Sequence, residues 1–186
     1  DVIIGGLGGG RLAGATGDNI VLADEGLILF EPGTGAIISI QTLESPEGGN
    51  DNVATGGGAD VILGGFGEDD LAGGDGTGVV LGDNGLIEYI LDGDSSDIDR
   101  IVTIDPSEGG GDVITSGSAD DILIGGTGDD AIHAGGGSDV ILGDFAEITG
   151  NIRFHQVFPP SNDPNFAYMS IDINHSGAGD DTIHAG

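Results

Sequence analysis

The chain has 186 residues, with 33 acidic side chains against 3 basic ones, a formal net charge of −30, 40 glycines and no cysteine. That balance excludes nucleic acid and anionic membrane surfaces as partners, because both are bound through lysine and arginine, and it makes a divalent cation the natural counter-charge. Disulfide staples are excluded outright, and an apolar content of 37% separates the sequence from ordinary acidic disordered segments.

Taken in chain order, the sequence falls into blocks of about 60 residues. The first, approximately 1–45, sets three short apolar runs between glycine turns: VII (2–4), RLA (11–13) and IVL (20–22). It continues through LADEG into a segment at about 26–44, LILF-EPGTG-AIISIQT, that alternates like two strands around a turn. The second block, 46–106, gives NVA, VIL, DLA and VVL, then LGDNG, then LIEYIL-DGDSSD-IDRIVTID at 85–105. The third, 107–171, gives VIT, ILI, AIH and VIL, then LGDFA and a longer insertion at 146–173; a fourth opens at 172 and ends with TIH. The first six residues, DVIIGG, are similar to the last six, DTIHAG, which reads as an excerpt of a longer repetitive chain.

Inside each block runs a period of nine, clearest in Gly125 to His133, where GGTGDDAIH reads Gly-Gly-x-Gly-x-Asp-x-apolar-x. The sixth position holds Asp51, Asp60, Asp69, Asp112, Asp121, Asp130 and Asp139, with Asp1 and Asp181 near the two ends. The eighth position holds Ile, Leu or Val at Ile3, Leu12, Val21, Val53, Ile62, Leu71, Val80, Ile114, Leu123, Ile132, Ile141 and Ile183, while the unit ending at His175 keeps Asp172 but lacks the glycines. Six residues of glycine and aspartate followed by three apolar ones describe a tight turn and then a short strand.

These residues resemble the RTX family of hemolysin-type calcium-binding repeats, whose nonapeptide is a β-helix motif. The resemblance implies an all-β fold, a right-handed parallel β-roll or solenoid, with a β-hairpin insertion in each block. It further implies two nonapeptides per coil, with calcium ions between stacked turns, and so pairs Asp51 with Asp69, Asp112 with Asp130, and Asp121 with Asp139. Asp1, Asp60 and Asp181 complete the expected metal ligands. Several oxygen donors mixing carboxylates and carbonyls select calcium over zinc or copper. Carboxylates stacked a strand spacing apart, about 4.8 Å, would otherwise repel, so folding and metal binding are expected to be one event.

Departures mark weaker turns: Gly10 and Gly78 stand where aspartate is expected, Asn19 is a substitute, and Ala119 replaces a fourth-position glycine. Asp18, Asp120, Asp129 and Asp180 are read as supports at fifth positions. Asp24, Asp83 and Asp144 recur just beyond the apolar runs, either as ligands of an extra ion or as turn residues.

Alternate strands differ. One set (VII, IVL, VIL, VVL, ILI, VIL) is apolar on both faces, and the other is polar or small outside. One sheet is therefore expected to be covered on its outer face, by the insertions, by a neighbouring chain in a homo-oligomer or filament, or not at all. Phe154, Phe158, Phe166 and Tyr168 in the third insertion suit packing within it or a recognition surface. His133, His155, His175 and His184 read as surface residues.

No HExxH or GxSxG occurs, so no enzyme activity is expected of these residues. No apolar run of about 18 residues suggests a membrane span. The expected role is a calcium-stabilised structural segment of a large extracellular or surface bacterial protein, an adhesin, fibre or filament, exported by a type I system. Two other readings are a calcium-binding tail of a secreted enzyme and a flat-faced module for ice or carbohydrate. The second lacks a threonine ladder, since Thr77, Thr115, Thr127 and Thr182 form none.

Overall fold

A computed structural model describes residues 1–43, 47–152, 167–170 and 179–186, and every regular element among them is a strand. The chain alternates between two parallel sheets. The first contains β1 (Val2–Ile4), β3 (Ile20–Leu22), β7 (Asp60–Leu63), β9 (Gly78–Leu81), β13 (Ile122–Ile124) and β15 (Val140–Leu142), side by side in that order. The second contains β2 (Arg11–Ala13), β6 (Asn52–Ala54), β8 (Asp70–Ala72), β12 (Val113–Thr115), β14 (Ala131–His133) and β18 (Thr182–His184).

Register follows the nonapeptide. The eighth-position residues line up across the first sheet as Ile3, Val21, Ile62, Val80, Leu123 and Ile141. Across the second they line up as Leu12, Val53, Leu71, Ile114, Ile132 and Ile183. The two rows face each other and form one core, in which Ile62, Leu71, Val80, Ile114, Leu123 and Ile132 are wholly buried. A one-residue slip would turn every one of these side chains to the opposite face, so the pattern fixes the pairing.

A third sheet is antiparallel. Its strands are β4 (Gly26–Phe30), β5 (Ile37–Thr42), β10 (Gly85–Glu88), β11 (Ile98–Thr103), β16 (Ala146–Ile152) and β17 (Ala167–Ser170). The segments at about 26–44, 85–105 and 146–173 each supply an antiparallel pair, and neighbouring pairs join to each other, β5 to β10 and β11 to β16. Its inward row of Ile40, Ile87, Ile101 and Ile148 packs on Leu22, Val61, Leu63, Val79, Leu81, Ile122 and Ile124, the outer face of the first sheet. Each such aliphatic side chain contributes roughly 1.5–3 kcal/mol when fully buried. The strands that read apolar on both faces do so because they are the middle layer of three. Of the covers considered above, the described residues therefore supply one themselves, through the insertions.

On the far side of the third sheet, Arg100 on β11 bridges Glu88 on β10 at 3.1 Å and Glu147 on β16 at 2.6 Å, tying two insertions together at a half-exposed position. No described helix is long and apolar enough to cross a membrane. Phe154, Phe158, Phe166, His155 and His175 lie outside the described residues, while Tyr168 falls in β17.

Candidate metal centre

Each sixth-position aspartate closes a turn immediately before a strand. Those preceding the second sheet form one column along one edge. There Asp69 Oδ1 accepts the backbone N–H of Asp51 at 2.8 Å, Asp112 that of Asp69 at 2.8 Å, Asp130 that of Asp112 at 2.8 Å, and Asp181 that of Asp130 at 3.0 Å. Asp51 Oδ1 extends the column to the N–H of Gly10. On the other edge, Asp60 Oδ1 accepts from Asn19, Asp121 from Gly78 at 2.7 Å, and Asp139 from Asp121 at 3.0 Å. The three pairings that the resemblance implied, 51 with 69, 112 with 130 and 121 with 139, are all neighbours of this kind.

One carboxylate oxygen thus holds the stack together. The other has no protein partner: Oδ2 of Asp51, Asp60, Asp69, Asp112, Asp121 and Asp130 is buried without a hydrogen bond, and all six residues are 0–3% exposed. Stranding a carboxylate oxygen away from water is costly, so six of them need an explanation.

Their surroundings provide one. A Cβ added to Gly125 would overlap both Asp130 Oδ2 and the carbonyl oxygen of Gly143, and one added to Gly82 would overlap Asp112 Oδ2 and lie 2.5 Å from the Gly125 carbonyl oxygen. Gly64 stands in the same relation to Asp69 Oδ2 and the Gly82 carbonyl, and Gly143 to Asp181 Oδ2. The first-position glycine therefore leaves a hollow faced by carboxylate and carbonyl oxygens together. Gly126 and Gly128, at φ 118° and 104°, shape the turn in a region that side chains other than glycine's rarely adopt. Donors of this type suit a hard, irregularly coordinated cation, which is calcium.

Burial pushes these carboxyls upward, and like-charged neighbours add to it. Asp112 is raised to about 10 by desolvation and then by Asp83, Asp69 and Asp130. Asp69 and Asp130 are raised to about 7 and Asp121 to about 6, chiefly by burial. Asp51, Asp139 and Asp181 move the same way for the same leading reason. A carboxyl whose folded value exceeds its unfolded one favours folding when protonated. That contribution is complete below the ordinary value of 3.8 and fades as pH climbs through 6 to 10. In calcium-free buffer the chain should therefore show more β structure by circular dichroism near pH 4 than near pH 8. The reverse order would mean that these carboxyls are not what holds the metal-free chain open.

The exceptional turns have their own solutions. Asn19 Nδ2 donates to Ala15 O, Gly17 O and Asp60 Oδ1 at 3.0, 2.6 and 2.8 Å, so an amide satisfies oxygens that a cation would otherwise share. Asp1 is exposed at the end of the second edge, where its amino group donates to Asp18 O. Three of the four fifth-position aspartates accept across the turns: Asp18 accepts the N–H of Ala59, Asp120 that of Ser138 and Asp129 that of Asp180, each at 2.8 Å.

Two features were not resolved by the sequence. Asp24 and Asp83 each reach across two turns: Asp24 accepts from Gly49 and Phe66, and Asp83 from Gly110 and Thr127. Asp92, Asp97 and Asp99, inside the DGDSSDID run read simply as a turn and a strand, place carboxylate oxygens within 4.8 Å of one another. His133 and His184 are exposed, as expected, yet stacked in register with ring centroids 4.8 Å apart.

Among known protein families, the chain matches the RTX calcium-binding nonapeptide repeat in four copies, over residues 47–80, 107–144 and 172–186. No curated protein matches it, and neither does any solved structure. Repeats of this kind bind calcium, and their number here implies several ions.

Proposed function

Because the chain is a member of the RTX calcium-binding repeat family, we propose that it is a structural segment of a large secreted bacterial protein, an adhesin, surface fibre or filament, rather than a catalyst. In this reading the two parallel sheets are walls of a right-handed β-roll, and the antiparallel pairs are hairpins inserted once per block. The chain leaves the cell through a type I system unfolded, because cytosolic calcium is too low to fill the turns. It then folds in the millimolar calcium outside, where weak extracellular modules suffice. The observation that carries the reading is the set of six buried Oδ2 atoms without a protein partner, each on a residue already committed to the stack.

A calcium titration followed by circular dichroism and light scattering tests it. The folding midpoint is expected between micromolar and millimolar free calcium. A midpoint at submicromolar calcium would remove the export argument. A scattering rise coincident with folding would favour a filament, while a folded monomer would favour a spacer.

A further inference from the structure

Three recurring aspartates stand outside the calcium reading, Asp24, Asp83 and Asp144, one at each point where an antiparallel pair leaves the first sheet. At these points the nonapeptide turn is broken, and its second half is supplied by chain returning from the insertion. Asp83 closes the break. Its Oδ1 accepts from Gly110 at 3.0 Å in the returning half, and its Oδ2 accepts from Thr127 in the next turn. Asp24 does the same with Gly49 at 3.3 Å and Phe66 at 2.7 Å. Both carboxylates are wedged between glycines, Gly48 and Gly65 around Asp24, Gly109 and Gly126 around Asp83, where any added Cβ would crowd them.

That position puts a third negative charge beside an existing pair. Asp24 interacts with Asp51 and Asp69. Asp83 is the strongest like charge acting on Asp112 and interacts with Asp130 as well. Asp144 acts on Asp130 and Asp181. Independently of charge, Asp51, Asp69, Asp112 and Asp130 are four of the six residues whose buried Oδ2 atoms lack a partner, so each junction cluster encloses oxygen donors that face no protein group. The opposite edge differs: around Asp121 and Asp139 the next position is Gly78, and among the described residues no aspartate spans a broken turn there.

We infer that the insertion junctions hold the tightest calcium sites of the array, with Asp24 and Asp83 as positioning residues that add the third carboxylate. Affinity of an oxygen cage rises with the negative charge gathered around it, and a junction has one more carboxylate. Calcium then enters first where each antiparallel pair meets the parallel sheets, and the second edge fills later. The inference rests on the calcium reading above and adds an order of filling.

Isothermal titration of the whole 186-residue chain with calcium chloride decides it. The wild type should show two classes of site. Asp83→Asn, which keeps the shape and one acceptor oxygen, should weaken part of the tight class by about tenfold and leave the loose class in place. Asp121→Asn should do the opposite. A single class in the wild type overturns the inference, as does an Asp83→Asn titration that is unchanged or weakened equally throughout. If Asp83→Asn fails to reach the wild-type dichroism in saturating calcium, Asp24→Asn at the other junction is read by the same criteria. Absence of any calcium heat or dichroism change would instead sink the calcium reading itself.

Discussion

Chelation of calcium from the folded chain at neutral pH is expected to dissolve all three sheets in one transition, including the antiparallel one that holds none of the repeat aspartates. The parallel sheets go first in energetic terms: without a counter-charge, the Asp69, Asp112 and Asp130 carboxyls must either stack ionised along one edge in a low-dielectric setting or take up protons at neutral pH, and both costs favour the unfolded chain. The antiparallel sheet follows because its inward isoleucines, Ile40, Ile87, Ile101 and Ile148, have no other surface to cover once Leu63, Leu81 and Ile124 separate. An antiparallel pair is marginal alone in water. Amide hydrogen exchange after addition of EDTA measures this directly. Loss of protection at Ile87 and Ile101 together with Ile62 and Leu123 is the expected result. Protected third-sheet amides above an exchanging parallel core would show that the antiparallel layer stands alone.

Filling one hollow should do nearly as much damage as removing the ions. Gly125→Ala places a methyl group against Asp130 Oδ2 and the Gly143 carbonyl, and the carbonyl is backbone that cannot rotate away. The cation and the methyl compete for one space, so the turn either opens or loses its ion. Overpacking alone costs about 1–3 kcal/mol, and the lost ion adds to that, so the calcium midpoint for folding should move upward by at least about tenfold. Gly136→Ala is the internal control: it lies in the adjacent repeat, and nothing stands within 4 Å of its added Cβ. Equal behaviour of the two variants in a calcium titration would refute the placement of the site against the first-position glycine.

Much of this was legible in the sequence because the information is periodic. The sixth-position column, the eighth-position cores and the existence of two kinds of strand all follow from residues nine apart, and the pairs 51 with 69 and 112 with 130 appear where that spacing puts them. LADEG, LGDNG and LGDFA each run into the first residue of an antiparallel strand, β4, β10 and β16. What the sequence left open depends on contacts between residues some forty apart with no period between them. Asp24 meets Phe66 and Asp83 meets Thr127 only after an insertion has left and returned. Asn19 looked like a weakened ligand, and its role as a donor to Asp60 and to two carbonyls needs three-dimensional neighbours to be seen. Which layer covers the apolar strands was likewise undecidable from composition, since Ile87 and Ile101 would suit a neighbouring chain equally well.

The second and third blocks each give two strands to every sheet: β7 and β9, β6 and β8, β10 and β11 in one, then β13 and β15, β12 and β14, β16 and β17 in the other. All three layers consequently advance by the same rise per block, about 9.6 Å at two ordinary strand spacings. Lengthening or shortening this protein without a mismatch is therefore possible only in whole units of six strands. Loss of a single pair of nonapeptides would leave the outer layer one strand too long for the wall beneath it. Genes that vary such an array are expected to gain and lose blocks of about sixty codons, never of eighteen.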